Sequence, residues 1–147
     1  MLLVRAKAGP SHIHGLGLIA REFITAGTVV WRFMPRFDVL IRERDMPRLS
    51  ETARNQVEHY AYFHTDTRTF VLSSDDDRFT NHSDDPNTRP VGDSAVAVRV
   101  IRPGEEITSD YSELARLNFR RTARPGTTAS RQGGPRTGRA PAATSVA

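Results

Sequence analysis

Short apolar runs, separated by polar turns that contain glycine or proline, occupy most of the first 118 residues. Runs of this length that are rich in β-branched and aromatic residues are typical of strands. We predict strands at residues 2–5, 17–21, 28–36, 95–101 and 107–111. A turn at residues 25–28 predicts a hairpin between the second and third of these strands. Residues 102–105 have proline second and glycine third, which favours a type II turn before the last strand.

One segment has the periodicity of a helix. We predict this helix at residues 50–62, because Ser50 can cap its start and apolar side chains recur at three- and four-residue spacing. The predicted apolar face comprises Ala53, Val57, Tyr60 or Ala61, and His64. Many short strands with one helix, and no alternation of strands and helices, predict a mainly β fold of the α+β class.

The composition changes near residue 119. At 147 residues the chain has room for one domain with a single core. From residue 119 onward it is rich in Gly, Pro, Thr, Ala and Arg and has almost no large apolar side chain. Such a segment buries too little surface to offset the entropy of ordering. We predict a folded domain at residues 1–118 and a disordered tail at residues 119–147.

The positive charge belongs to that tail. The chain has 21 basic and 17 acidic residues, and six of the basic residues are tail arginines without any accompanying acid. The remaining domain is slightly acidic, so the net charge of +4 does not indicate nucleic-acid binding. We predict no nucleic-acid partner, with weak contact through the basic tail as the alternative.

Two further features of the composition bear on location. The chain has no cysteine, which excludes disulfides, thiolate zinc ligands and a catalytic thiol. No run approaches the ~20 apolar residues of a membrane span, and the first residues lack the apolar segment of a secretory signal. We therefore expect a cytoplasmic protein that does not contact membranes.

The run from Gly15 to Ala20 fits the G-x-G-x-x-A pattern of dinucleotide-binding folds. In those folds the glycine-rich turn leads into a helix, and the crossover takes a dozen residues or more. Only nine residues separate Gly17 from Gly27, which is too few. The two glycines of the pattern instead let the backbone approach a cofactor closely, or serve a tight turn.

Other polar clusters leave alternatives open. His12 and His14 lie on one side of an extended segment, but no third metal ligand has a suitable spacing, so we predict no metal site. The five acids at 75–77 and 84–85 lack the alternating oxygen ligands and the glycine of a calcium loop. They form either a solvated acidic rim or a negative rim that attracts a cationic substrate.

Three motifs occur in a particular order along the chain: HGLGLIA at 14–20, RFTNHSDDPNT at 78–88 and GEEITSDY at 104–111. Together they resemble the SET-domain protein lysine methyltransferases, in a small stand-alone bacterial-type form without the Cys-rich post-SET zinc segment. The likeness covers roughly residues 3–115. The second and third motifs, in this order, are its specific part.

The resemblance implies a SET-domain β-clip, in which a knot-like C-terminal crossing brings Asn81 and Tyr111 together. Tyr111 is implied as the catalytic phenol beside the transferring methyl. The cofactor implied is S-adenosyl-L-methionine, whose methionine end is approached by backbone near the glycines and held by the Asn-His pair. The implied cofactor-binding residues are Gly15, Leu16, Gly17, Asn81 and His82.

The predicted function is therefore S-adenosylmethionine-dependent protein-lysine N-methyltransferase, with a protein bearing a lysine as partner. A sulfonium methyl is already activated, so the site needs neither a metal nor a covalent nucleophile. It must align a neutral amine and exclude water, and it must favour loss of the lysine proton, whose pKa is ordinarily about 10.4. The alternative is a catalytically weak SET-like module that binds protein or cofactor. Retention of Asn81, His82 and Tyr111 favours the enzyme.

Three positions depart from the family pattern. Asp84 stands where many relatives have a zinc-binding cysteine, so no zinc clamp closes the cofactor site. Residues 114–119, with Phe119 as a candidate, or a partner would then cover the adenine. Ser109 replaces an aromatic residue found in many relatives, which predicts a roomier pocket and addition of more than one methyl.

Overall fold

The computed structural model describes residues 1–114, and short strands dominate this range. The strands are β1 (Ala6–Pro10), β2 (Leu16–Ala20), β3 (Val29–Arg32), β4 (Val39–Arg42), β5 (Tyr62–His64), β6 (Thr69–Leu72), β7 (Asn81–His82), β8 (Thr88–Val91), β9 (Ser94–Ala97) and β10 (Glu106–Ser109). The helices are α1 (Glu51–Tyr60) and the four-residue α2 (Tyr111–Leu114), with 3-10 turns at Glu43–Arg48 and Asp76–Phe79. The predicted mainly β fold is confirmed.

The strands form two sheets. The larger has the order β1-β2-β10-β8-β9-β3, with β7 also paired to β10, and the smaller has the order β4-β6-β5. One buried apolar cluster comprises Leu18, Ala20, Ile24, Val30, Ala97, Ile101 and Ile107. A second cluster contains Trp31 of β3, Phe33 directly after β3, and Val71 from the smaller sheet. This second cluster packs the two sheets together.

The C-terminal strand makes the knot-like crossing. Ser109 of β10 pairs in parallel with His82 of β7 and also with Thr88 of β8. A strand residue has only two edges, so His82 and Thr88 must lie on opposite sides of Ser109. The segment between them therefore passes around β10. This crossing brings the second and third sequence motifs into contact.

Two strand predictions are wrong in position. Residues 2–5 are not a strand; the first strand begins at Ala6, and Leu2 contributes one isolated bridge to Trp31. The residues of β1 have low strand propensity, and pairing along β2 makes them a strand. The predicted hairpin across residues 25–28 is also wrong, because β2 pairs with β1 and β10 whereas β3 pairs with β9.

The other predicted strands exist but are shorter. The strand expected at 17–21 is β2, and that expected at 28–36 is β3, which ends at Arg32. The strand expected at 95–101 is β9, which ends at Ala97. The strand expected at 107–111 is β10, which ends at Ser109, so that Tyr111 begins α2.

The predicted helix and turn are confirmed. Ser50 caps α1, since its hydroxyl accepts a hydrogen bond from the Ala53 N–H at 3.2 Å. The helix ends at Tyr60, and His64 lies in β5 instead of on the helical face. In the turn, Gly104 has a φ of 86°, and the Glu105 N–H donates to the Arg102 carbonyl at 3.0 Å.

The predicted domain boundary at residue 118 and the predicted tail lie outside the described residues. Within residues 1–114, neither helix is long and apolar enough to cross a membrane.

Candidate active site

The hairpin of β1 and β2 ends in a loop, residues 11–15, that folds around one hydroxyl. The Ser11 N–H donates to the Gly15 carbonyl at 3.1 Å. The Ser11 hydroxyl accepts from the backbone N–H groups of Ile13 and His14, at 2.8 and 3.1 Å. Gly15 has a φ of 49° and open space where a Cβ would be, so its backbone is accessible to a ligand.

Asn81 and Glu106 connect this loop to the C-terminal strand. The Asn81 side-chain nitrogen lies 3.0 Å from the Leu16 carbonyl and 2.8 Å from Oε1 of Glu106. The Glu106 carboxylate also accepts from the Ser11 hydroxyl, which lies 2.9 Å from both of its oxygens. A Cβ on Gly17 would overlap that carboxylate. A side chain at position 17 would therefore force the Glu106 carboxylate away from Ser11 and Asn81.

His82 holds Tyr111 through its ring. The Tyr111 backbone N–H donates to Nδ1 of His82 at 3.2 Å, and the two rings lie 5.4 Å apart. With Nδ1 as acceptor, the ring proton is on Nε2, which lies 3.3 Å from Oδ1 of Asp84. The resemblance implied a cofactor contact for His82, and this contact between imidazole and backbone was not predicted.

The phenol of Tyr111 is fixed at its other end. Its hydroxyl donates to the Thr80 carbonyl at 2.8 Å, although the residue is 52% exposed. Partial burial, together with the charge of Asp77, raises the pKa of Tyr111 despite an opposing backbone hydrogen bond from His82. The phenol therefore stays protonated at neutral pH.

Two depressions meet at Tyr111. The first, which we call the loop cleft, has a volume of about 570 Å³. It is lined by Gly15, Leu16, Asn81, His82 and Tyr111 among the predicted site residues, and by Ile13, His14, His59, Tyr60, Arg78, Phe79 and Thr80. Five of the six predicted residues therefore share one cleft, while Gly17 is buried beneath the loop against Glu106.

The second depression, which we call the aromatic cavity, has a volume of about 280 Å³. Its aromatic lining consists of Trp31, Tyr60, Tyr62, Phe63 and Tyr111, and its polar lining includes Glu58, His59, Ser73, Asp77, Arg78, Thr80 and Ser109. Five residues line both depressions: His59, Tyr60, Arg78, Thr80 and Tyr111. The Ser109 hydroxyl lies 2.7 Å from that of Thr88 and leaves the cavity without an aromatic side chain at this position.

The acidic run at 75–77 is not a solvated rim, which corrects one sequence interpretation. Asp75 accepts the Leu2 N–H at 2.6 Å, and Asp76 accepts the Ala8 N–H at 3.0 Å. Asp77 lines the aromatic cavity. Asp75 and Asp76 therefore anchor the N-terminal segment and Asp77 faces the site, whereas the acids at 84–85 are exposed.

The two histidines of the loop do not gather further metal ligands. The His14 ring lies 6.4 Å from the His59 ring. Within the described 114 residues, no group of three or more His, Cys, Asp or Glu side chains is arranged to hold a metal ion.

Several residues that build the site were missed at the sequence level. Thr80, Asn87 and Glu106 lie inside the recognised motifs, and their position there was the available signal. Ser11 lies outside those motifs, and only the folded chain places it at the site. Asp77 belongs to the acidic run for which a rim that attracts a cationic substrate was one interpretation, and the folded chain selects Asp77 from that run.

Comparison with known proteins identifies this architecture. A model described as the SET domain matches residues 15–112, which is more than half of the chain. The chain therefore belongs to the SET-domain family. No curated protein matches it significantly.

Solved structures with a similar fold are proteins of distant sequence. A humanized mutant of the Chaetomium thermophilum Polycomb Repressive Complex 2, bound to an inhibitor, aligns over 74% of this chain with a TM-score of 0.57 and 21% identity. This chain spans 15% of the length of that one. A Plasmodium falciparum protein described as a candidate histone methyltransferase aligns over 75% of this chain and 95% of its own, with a TM-score of 0.51 and 21% identity. These likenesses show the fold.

Proposed function

We propose that this protein transfers a methyl group from S-adenosyl-L-methionine to the side-chain amine of a lysine in a protein substrate. The observation that carries the proposal is the position of Tyr111 at the junction of the loop cleft and the aromatic cavity. Membership of the SET-domain family supports it, as does the fold shared with a Plasmodium falciparum protein described as a candidate histone methyltransferase.

The loop cleft fits the cofactor. Its volume is within the range of roughly 300–1,000 Å³ that is typical of small-molecule sites. Gly15 leaves backbone accessible, and Asn81 and His82 add polar groups to the lining. The cofactor supplies the activated methyl group and a positive charge on sulfur. Gly15, Leu16, Asn81 and His82 are the residues that would hold it.

The aromatic cavity fits an alkyl ammonium. Aromatic faces attract cations, and the walls contributed by Trp31, Tyr60 and Tyr62 would pack against the methylene groups of a lysine side chain. Aromatic side chains packed against the substrate would also exclude water from the reacting nitrogen, which strengthens electrostatic effects there.

Tyr111 would orient the acceptor. Its hydroxyl proton is committed to the Thr80 carbonyl and its oxygen accepts the His82 backbone N–H, which leaves the remaining lone pair of the phenol oxygen for an amine N–H or an electron-poor methyl group. The hydrogen bond from its backbone N–H to His82 holds Tyr111 in place at the start of α2. The chain's contribution to the reaction is thus mainly alignment, which can supply a large part of a rate enhancement.

The test combines binding with transfer. Calorimetry with S-adenosylhomocysteine should detect binding to the native protein and to Tyr111→Phe, and weaker binding to Asn81→Ala. Labelled methyl transfer to a host lysate should fall at least about tenfold in Tyr111→Phe, because the oxygen that orients the amine is gone. Asn55→Ala, on the exposed side of α1, is the matched control and should behave as the native protein.

The outcomes separate the two functional classes. Absence of any binding would exclude the enzyme, and equal labelling by the native protein, Tyr111→Phe and Asn81→Ala would refute the assigned site. Binding of S-adenosylhomocysteine without labelling of any protein would favour the catalytically weak binding module.

Ser109 bears on the number of methyl groups. We propose that the space beside Ser109 admits an amine that already carries one methyl, so that products with two or three methyls form. Mass spectrometry of the product should show them, and Ser109→Phe should shift the product towards monomethyl-lysine. Products of the native protein that stop at one methyl on every substrate would refute this proposal.

A further inference from the structure

Asp77 is an acid inside the aromatic cavity to which the mechanism above gives no role. It lines the cavity together with Tyr62 and Tyr111. Its two carboxylate oxygens accept hydrogen bonds from neutral hydroxyls, Ser73 at 2.8 Å and Thr80 at 3.4 Å. Among residues 1–114, no arginine or lysine side chain forms an ion pair with it. The cavity therefore contains a carboxyl group without a cationic side chain as its partner.

Asp77 is connected to the phenol at the junction. Thr80 accepts the Tyr111 hydroxyl through its carbonyl oxygen and reaches Asp77 through its own hydroxyl. The charge of Asp77 acts on the titration of both Tyr62 and Tyr111, which places the carboxylate near both phenols. A cation that enters the cavity far enough to meet Tyr111 would come close to Asp77.

The protonation of Asp77 is poised near neutrality. Burial raises its pKa to about 7, against the hydrogen bond from Ser73, which lowers it. Asp75 and Asp38 raise the pKa further, and the amino-terminal ammonium lowers it. The other titratable or charged groups that line the cavity are Glu58, His59, Tyr60, Tyr62, Arg78 and Tyr111.

We propose that Asp77 binds the ammonium group of the substrate lysine and accepts its proton before methyl transfer. This inference deepens the proposed function and rests on it. Aromatic walls alone would select an alkyl cation, but the amine must be neutral to attack a methyl group. A carboxylate in the same cavity performs both tasks.

The proton transfer balances in atoms and charge. The ammonium N–H bond breaks, its electron pair stays on nitrogen, and the proton forms an O–H bond on Asp77. A buried ion pair thereby becomes an amine and a carboxylic acid, both neutral. Low dielectric penalises an ion pair more than a neutral pair, so burial favours this transfer. The amine lone pair is then free to attack the methyl group, and the proton returns to water when the cavity opens.

The test compares pH profiles of methyl transfer for the native protein and Asp77→Asn, a change that keeps the shape and removes the acid. Labelled S-adenosylmethionine and a mixture of lysine-rich histones serve as probes, at saturating concentrations. The native rate should rise through about pH 7. The variant should be about 10²-fold slower at pH 7.5, a typical effect for loss of a general base. Its rate should rise only at higher pH, where the amine loses its proton to water.

Controls separate this role from other effects. Asp85→Asn removes an exposed acid of the following loop and should keep the native rate and profile. His59→Asn removes the imidazole that lines the cavity, and its profile should keep the rise near pH 7. Calorimetry with S-adenosylhomocysteine should give Asp77→Asn an affinity within twofold of native. Asp77→Ser provides a second variant, with the same expectation for its profile.

Failure of this inference differs from failure of the proposed function. If neither the histone mixture nor a host lysate is labelled by the native protein, the proposed function fails. If the native protein labels histones and Asp77→Asn or Asp77→Ser does so at the native rate with the native pH profile, the function stands and the role of Asp77 is refuted.

Discussion

The side-chain nitrogen of Asn81 lies 2.8 Å from Oε1 of Glu106, a residue 25 positions later in the chain. The same carboxylate accepts the Ser11 hydroxyl, so one acid holds both the Asn-His motif and the loop after β1. Glu106 thus acts on the loop cleft through its neighbours. Its removal should disturb the cleft even though Glu106 does not line it.

We expect Glu106→Gln to weaken binding of S-adenosylhomocysteine about tenfold, which corresponds to about 1.4 kcal/mol. A glutamine keeps one acceptor oxygen and replaces the other with an NH₂ group. Either Ser11 or Asn81 then points its donor at another donor, and the lost hydrogen bond costs about 1–3 kcal/mol. Calorimetry measures the change. Glu105→Gln is the control, because Glu105 contacts Arg99 and the Arg102 N–H instead. Native affinity in Glu106→Gln would show that Glu106 does not position the cleft.

Gly17→Ala tests the same packing from the other side. The added Cβ would displace the Glu106 carboxylate, so we expect a loss of S-adenosylhomocysteine affinity of at least about tenfold, or about 1.4 kcal/mol. Gly27→Ala is the comparison, because Gly27 has a φ of 84° and open space around it. It should cost about 1 kcal/mol of stability from backbone strain and leave binding unchanged. A larger loss of binding in Gly27→Ala would contradict this account.

Asn87→Ala should destabilise the fold by about 2–6 kcal/mol in urea unfolding. The Asn87 side chain is 1% exposed and pairs with β10 as a backbone would: its amide nitrogen donates to the Glu106 carbonyl at 2.7 Å, and its oxygen accepts the Thr108 N–H at 2.9 Å. Alanine leaves both groups without partners, at about 1–3 kcal/mol each. Asn55→Ala, on the exposed side of α1, should stay within about 0.5 kcal/mol. Equal stability of the two variants would disprove the pairing role.

The raised pKa of Asp77 has a consequence for stability. The pKa is about 7 in the folded chain and 3.8 in its ordinary state, so the unfolded chain releases this proton first as the pH rises. As the pH rises between these two pKa values, the free energy of unfolding of the native protein therefore decreases. Asp77→Asn has no acid at this position, so its free energy of unfolding does not show this decrease.

We expect the stability of Asp77→Asn relative to the native protein to increase by on the order of 2–3 kcal/mol from pH 5 to pH 8. Urea unfolding of both proteins at both pH values measures this difference. The effects of titratable groups that both proteins share cancel when the two are compared. A pH-independent difference would mean that Asp77 titrates normally in the folded chain. That result would also remove the reason for a rise in rate near pH 7.

Local signals in the sequence predicted α1, its cap at Ser50 and the turn at 102–105, because each depends on neighbouring residues alone. They failed for β1, since residues 6–10 form a strand only through pairing with β2. They also placed Tyr111 in a strand. In the structure β10 ends at Ser109, and Tyr111 is the first residue of α2, where its backbone N–H bonds to His82. The cytoplasmic location, the tail and the cover for the adenine stay predictions.

The sequence by itself determined the family, the mainly β class and five residues of the loop cleft, because the motif order and the residue types carry that information. Only the tertiary structure decided that Glu106 and Ser11 hold Asn81, that Gly17 packs against the Glu106 carboxylate, and that Asp77 faces the aromatic cavity. These relationships join residues far apart in sequence. They depend on distances of a few ångströms and on burial, which follow from how β10 passes between β7 and β8 and are not written in any local pattern.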